Sequence, residues 1–344
     1  MRYIDLRSDT VTEPTQEMRN AMRDSVVGDD VFWSDPTVIR LEELAAKRIK
    51  KEAALFMPTG SMGNLVAVLT HTNPGDEIVA GAYSHIVRHE LGAAARFGGV
   101  GFALADNPNT FVYPEDVERL ILPEDFFNPK TTLVCLENAL YNGEVVPLDI
   151  MQGCYKTAKN RGVPVHLDGA RVFNAAVSLN VDVTELSACC DSVMFCLSKG
   201  LCAPVGSMLC GDSNFIAEAR KFRKMLGGGM RQAGVLAACG ILALEKMTSR
   251  LKEDHDNAHY LEEKLAEIPG IHTEPEKVQI NMVFWKTDIK DFDSSRFVEF
   301  MYSKGIRVLP VMDGAYRFVT NNDISKQDVD AAVNGLKGYI AALK

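Results

Sequence analysis

The chain has 344 residues, 47% of them hydrophobic and 24% charged, with a formal net charge of −9. That is enough apolar material for one large domain or two unequal ones. The negative balance is spread without a basic block, which excludes nucleic acid and anionic membrane as expected partners and favours a small-molecule substrate.

The N-terminus, MRYIDLRSDTVTEP, is polar and lacks an apolar core of the kind that begins a secreted protein. No apolar run is long enough to cross a bilayer, so a cytoplasmic protein is expected. A helix follows over PTVIRLEELAAKRIKKE (36–52), then AALFM, the Gly-rich turn PTGSMGN and the apolar helix LVAVLTH. Apolar runs of strand length recur at EIVAG (77–81), TTLVCLEN (131–138), VPVHLDGA (163–170), DSVMFCLS (191–198) and GSMLCGD (206–212). Such runs fit strands buried on both faces. Between them MQGCYKTAKNRG (151–162) reads as a helix closing on glycine. After GGGMRQAG comes a long helical segment over about 231–268, then NMVFWKT, an amphipathic SSRFVEFMYSKG, IRVLPV, YRFVT and a final helix from about 325. Alternating strand and helix imply an α/β protein with a mostly parallel, doubly wound sheet. A large domain is expected over 1–250, including the N-terminal arm, and a smaller C-terminal α/β domain over 251–344. The eight cysteines lie mostly inside apolar runs without a C-x-x-C pair, so they read as reduced core residues.

In an open α/β sheet the ligand lies beyond the C-terminal ends of the strands. Lys199, in MFCLSKGLCAPVGSML, is an ammonium at the end of an apolar run. It either snorkels to water or, deprotonated, acts as a nucleophile. Asp168, in HLDGAR, closes another apolar strand and needs a cationic partner, which Arg171 or a ligand could supply. PTGSMGN is either a plain helix cap or a cradle whose backbone N–H groups face a phosphate. His85 and His89, in AYSHIVRHE, stand four apart as a helical metal pair would, but no third ligand accompanies them and no metal is expected. A phosphate cradle, a buried carboxylate and an isolated lysine at one sheet edge are the groups that pyridoxal 5'-phosphate requires.

Five motifs in order, DLRSDTVT, PTGSMGN, HLDGAR, LSKGLCAPVGS and LGGGMRQAG, with a weaker echo at YRFVT, make the chain resemble the low-specificity L-threonine aldolases of the fold-type-I, aspartate-aminotransferase-like superfamily. The resemblance implies Lys199 as the Schiff-base lysine and Asp168 as the partner of the pyridine nitrogen. It places Gly60, Ser61 and Met62 at the phosphate and His85 on the cofactor ring, close to the substrate hydroxyl. Ser8, Arg171 and Arg317 resemble the family's contacts to the substrate carboxylate. Arg231 resembles a phosphate contact made across a subunit interface, which implies a homo-oligomer, a dimer or a dimer of dimers (a homotetramer). Many members read E-N-T-H-N-G where this chain has ENALYNG, one residue longer and without the histidine. The identity of the β-hydroxyl base is thereby open between His85 and Tyr141, and so is the choice between threonine and allo-threonine.

The expected activity is that of a lyase, cleaving β-hydroxy-α-amino acids to glycine and an aldehyde. Rival readings are a β-eliminating lyase or a racemase on the same scaffold, and a non-catalytic regulator, which would carry an appended DNA-binding segment. A nicotinamide dehydrogenase is disfavoured, because no G-x-G-x-x-G opens the first helix.

Overall fold

Seven short, largely buried runs form one sheet in the computed structural model, which describes residues 2–123 and 125–343. They are β1 (Ala53–Met57), β2 (Glu77–Gly81), β3 (Gly101–Ala105), β4 (Thr131–Glu137), β5 (Val165–Asp168), β6 (Ser192–Cys196) and β7 (Ser207–Gly211). Their order is β1-β7-β6-β5-β4-β2-β3, and only β7 runs against its neighbours. The C-terminal ends of β1, β2, β4, β5 and β6 therefore share one edge. Every residue of β5, β6 and β7 is buried, as a sheet covered on both faces requires.

The helix Gly60–His71 lies against this sheet. Thr59 caps it, its hydroxyl accepting from the Met62 N–H at 3.1 Å. Gly63 allows the close approach, since a Cβ there would lie 2.6 Å from Met194 Cγ on β6. Leu55, Met57, Val66, Ala67, Met194 and Leu209 form the core beneath.

The chain divides into two units. The larger holds Pro14–Tyr141 and Val145–Thr248; the smaller holds Met1–Glu13, Asn142–Glu144 and Ser249–Lys344. A cut at 250 had assigned the N-terminal arm to the large domain, but Ile4 and Asp5 pair in parallel with Ile306 and Arg307, and this ladder carries the arm to the smaller unit. That unit also has an antiparallel sheet, Tyr316–Val319 beside Met282–Thr287 beside Ile271–Thr273, with Trp285 stacked on Tyr316 at 4.3 Å. All eight cysteines are buried. Among the described residues no helix is long and apolar enough to cross a membrane.

Gly206, in the loop between β6 and β7, has φ of +112°, and a Cβ would meet the Phe56 ring at 2.4 Å. Gly206→Ala is expected to cost about 2 kcal/mol or more, from a left-handed backbone and a clash together. Gly75→Ala, at φ of +95° but with open space, isolates the backbone part and is expected to cost less in the same thermal melts.

Candidate active site

Each strand end at the shared edge delivers one polar group. β1 leads through Pro58 and Thr59 into the N-terminus of the helix Gly60–His71. β2 leads to His85, β4 ends on Glu137, β5 ends on Asp168, and Lys199 follows β6 by three residues. Asp168 pairs in register with Met194 of the parallel strand β6, which brings the Asp168 and Lys199 loops side by side. Gly60, Ser61, His85, Asp168, Ser198 and Lys199 line one cleft of about 300 Å³.

Beneath the cleft the charges are answered by hydrogen bonds. Asp168 is buried; its Oδ2 accepts from Asn64 Nδ2 at 2.8 Å and its Oδ1 from the Ala170 N–H at 3.0 Å. Asn64 Nδ2 also donates to Glu90 Oε1 at 2.9 Å, so one amide bridges two carboxyl groups. Glu90 Oε1 lies 3.1 Å from His85 Nδ1, and this hydrogen bond raises the imidazole pKa above its ordinary value despite partial burial. The His85 N–H donates to Glu137 Oε2 at 2.7 Å. Burial, reinforced by the charge of Asp168, pushes the Glu137 carboxyl from an ordinary 4.5 up to about 8. Ligand atoms of His85, Glu90 and Asp168 come within 4.8 Å of one another, a grouping that a metal ion could use. The Asn64 amide already directs two N–H bonds into it, and a donor so placed repels a cation.

Gly60, Ser61, His85, Asp168 and Lys199 all line this cleft. Met62 does not join them: Thr59 takes its N–H, and its sulfur packs over Gly228, where a Cβ would lie 2.5 Å away. Arg171 is the N-cap residue of the helix Val172–Leu179, next to Ala170 of the cleft lining. Tyr141 and Glu137 line an adjoining cavity, the Tyr141 ring 5.9 Å from that of His89, which is 5.6 Å from His85. Arg231 pairs with Asp29 at 2.9 Å. Ser8 and Arg317 belong to the smaller unit, where Ser8 Oγ accepts from the Thr10 N–H at 3.2 Å and Arg317 Nη2 donates to the Arg7 carbonyl at 3.3 Å. Sequence reasoning missed Asn64, Glu90 and Glu137. The available signal was a polar residue inside or at the end of an apolar run.

The family described as beta-eliminating lyase matches residues 5–288. The low specificity L-threonine aldolase of Escherichia coli (strain K12) is 39% identical to the chain, over 98% of this chain and 99% of that protein. The chain belongs to the low-specificity L-threonine aldolases. A probable low-specificity L-threonine aldolase 2 of Arabidopsis thaliana is 40% identical, over 96% of this chain and 95% of that protein. The solved threonine aldolase of Leishmania major has the same fold, with a TM-score of 0.82 at 18% identity, covering 98% of this chain and 99% of that one. This threonine aldolase family member is a lyase. A solved serine palmitoyltransferase that holds pyridoxal phosphate shares the fold, with a TM-score of 0.78 at 16% identity, covering 99% of this chain and 88% of that one.

The residues present fit that cofactor. The first N–H groups of a helix have no partner within it; Thr59 takes that of Met62, which leaves those of Gly60 and Ser61 to face a phosphate. Asp168 and Lys199 line the same cleft, a carboxylate that would suit the ring nitrogen and an amine that would suit the aldehyde carbon.

Because Glu137 keeps in the fold a proton that the unfolded chain releases near pH 4.5, its contribution to stability is lost as pH rises from there to about 8. Glu137→Gln is expected to flatten that decline, measured as urea midpoints at a series of pH values between the two. An unchanged slope would show that Glu137 is ionised in the fold.

Proposed function

We propose that the protein is a cytoplasmic, homo-oligomeric threonine aldolase that cleaves threonine or allo-threonine, and related β-hydroxy-α-amino acids, to glycine and an aldehyde. The observation that carries the reading is the meeting of Lys199, Asp168, His85 and the Gly60–Ser61 turn on one cleft, in a chain about 40% identical to low-specificity L-threonine aldolases. Bound pyridoxal phosphate supplies the electron sink that lets the Cα–Cβ bond break.

The chain's own residues do the rest. Lys199 would hold the cofactor through its amine, which lies on the cleft wall where the substrate amine arrives. Asp168 would face the ring nitrogen, and the N–H groups of Gly60 and Ser61 would hold the phosphate. His85 lines the cleft with Nδ1 beside Glu90, and in its neutral form, with Nδ1–H donated to Glu90, its Nε2 keeps the lone pair and serves as the base. Nε2 takes the β-hydroxyl proton as the aldehyde departs, and a proton returned to Cα completes glycine. Arg171, beside Ala170 of the cleft lining, clamps the substrate carboxylate and so fixes which bond is aligned for cleavage. Oligomer formation is supported by Phe32 and Trp33, 73% and 68% exposed in the loop whose Asp29 holds Arg231.

Lys199→Ala is expected to abolish both the visible absorbance of bound cofactor and turnover; a variant keeping both would remove Lys199 from the reaction. Product analysis separates the activities: aldehyde and glycine support the aldolase, whereas pyruvate and ammonia would establish a β-eliminating lyase.

The hydrogen bond to Glu90 makes the His85 imidazole a stronger base than an ordinary one at roughly 6.5, whereas a phenol at about 10 must first be ionised before it can act as one. His85→Asn is therefore expected to lower kcat about 100-fold or more, and Tyr141→Phe only several-fold. Greater damage from Tyr141→Phe would transfer the role of base to Tyr141.

A further inference from the structure

Behind Asp168 runs a line of polar side chains that the reaction as described does not use. His166 lies two residues before Asp168 on β5, so both side chains point to the same face of the sheet, the face covered by the helix Gly60–His71. His166, Asn64 and Ser192 are fully buried. His166 Nε2 is 3.2 Å from Asn64 Oδ1, and His166 Nδ1 is 2.9 Å from Ser192 Oγ. Ser192 is the β6 residue in register with His166, and its Oγ is 2.8 Å from Nε2 of His71, the last residue of the helix.

The hydrogens in this line are fixed by elimination. Asn64 has two carboxyl groups, of Asp168 and Glu90, at one end of its amide, so that end must be the NH2 and Oδ1 must accept. The donor to Oδ1 is Nε2–H of His166. Burial holds His166 neutral, its pKa pushed down to about 3, so Nδ1 has a lone pair and accepts a hydrogen bond from the Ser192 hydroxyl. Ser192 Oγ in turn accepts from Nε2–H of His71, which burial also keeps neutral, at about 4. Every hydrogen in the line therefore points towards Asp168.

We propose that His166, backed by Ser192 and His71, is a positioning residue for the cofactor site: it locks the Asn64 amide so that two N–H bonds, and not its oxygen, face Asp168 and Glu90. A reversed amide would set a carbonyl oxygen against two carboxyl groups and turn Asp168 away from the ring nitrogen. Simple satisfaction of buried polar atoms would require only that each group find some partner. Here each partner also dictates the proton position of the next. The other titratable groups around Asp168 are His85, Glu90, Cys135, Glu137 and Lys199, and the substitutions below leave all of them in place.

The proposal rests on Asp168 as the partner of the ring nitrogen, and the test separates the two. Holoenzymes carrying His166→Phe, His166→Gln, Ser192→Ala and Asp168→Asn are compared by the pH midpoint of the cofactor's visible band and by the rate of cofactor release on dilution. Loss of a buried hydrogen-bond donor in His166→Phe is expected to speed release about tenfold or more, with a displaced midpoint. His166→Gln keeps a donor towards Asn64 and an acceptor towards Ser192, and is expected to restore both readouts to near the parent values. Ser192→Ala frees the His166 tautomer and is expected to move both in the direction of His166→Phe, by less. Unchanged midpoint and release in a folded His166→Phe would overturn the proposal, as would His166→Gln proving as damaging. If His166→Phe fails to fold, Ser192→Ala decides, and parent values there would overturn it. Parent values in Asp168→Asn would overturn the Asp168 assignment and this proposal with it, whereas a shift there with none in the His166 and Ser192 variants overturns this proposal alone.

Discussion

The site depends on one close contact, the seat of the helix Gly60–His71 on the face of β5 and β6. Gly63 has no side chain to hold the helix off Met194, so Asn64, the next residue, comes within hydrogen-bonding reach of Asp168. The same seat sets Gly60 and Ser61 at the strand edge, where their N–H groups face the cleft. Phosphate cradle and carboxylate support are thus two ends of one rigid element, and their spacing is that of the helix itself.

Three carboxyl groups, Asp168, Glu90 and Glu137, crowd the space beneath the cleft, where low dielectric makes like charges costly. The structure answers each differently. Asp168 accepts two N–H bonds, Glu90 shares the Asn64 amide and the His85 imidazole, and Glu137 is pushed towards its protonated form by burial and the charge of Asp168. The backbone N–H bond from His85 to Glu137 holds the residue's main chain, and the Nδ1 bond to Glu90 sets the turn of its ring. That is the orientation a base on the substrate side requires.

The segment ENALYNG, which departs from the family's pattern, is held by Asn138, whose Nδ2 donates to the Val146 carbonyl at 3.0 Å and whose Oδ1 accepts from the Val146 N–H at 3.1 Å. This clasp directs Tyr141 into the cavity beside Glu137, with its ring near that of His89. Tyr141 thus lines the cavity beside Glu137, and His85 is the imidazole that lines the cleft itself.

Asp168 and Lys199 were legible in the sequence because each is a charged residue closing an apolar run, and parallel strands deliver such residues to one edge whatever the details of packing. The turn PTGSMGN was legible for the same reason, through local chemistry that needs no distant partner. Asn64, Glu90 and His166 were not. His166 sits inside VPVHL and reads as one more strand residue; its meaning comes only from Ser192 on the neighbouring strand and Asn64 on the helix above. The N-terminal arm was misplaced likewise, because two residues of strand carry no label for the partner they pair with, here Ile306 and Arg307. The sequence by itself determined the alternation of elements and the chemical groups at the strand ends, since burial and capping act within a few residues. Which amide bridges which carboxylates, and which histidine directs that amide, was decided by tertiary structure alone, because hydrogen bonds reach about 3 Å and their partners lie far apart in the chain.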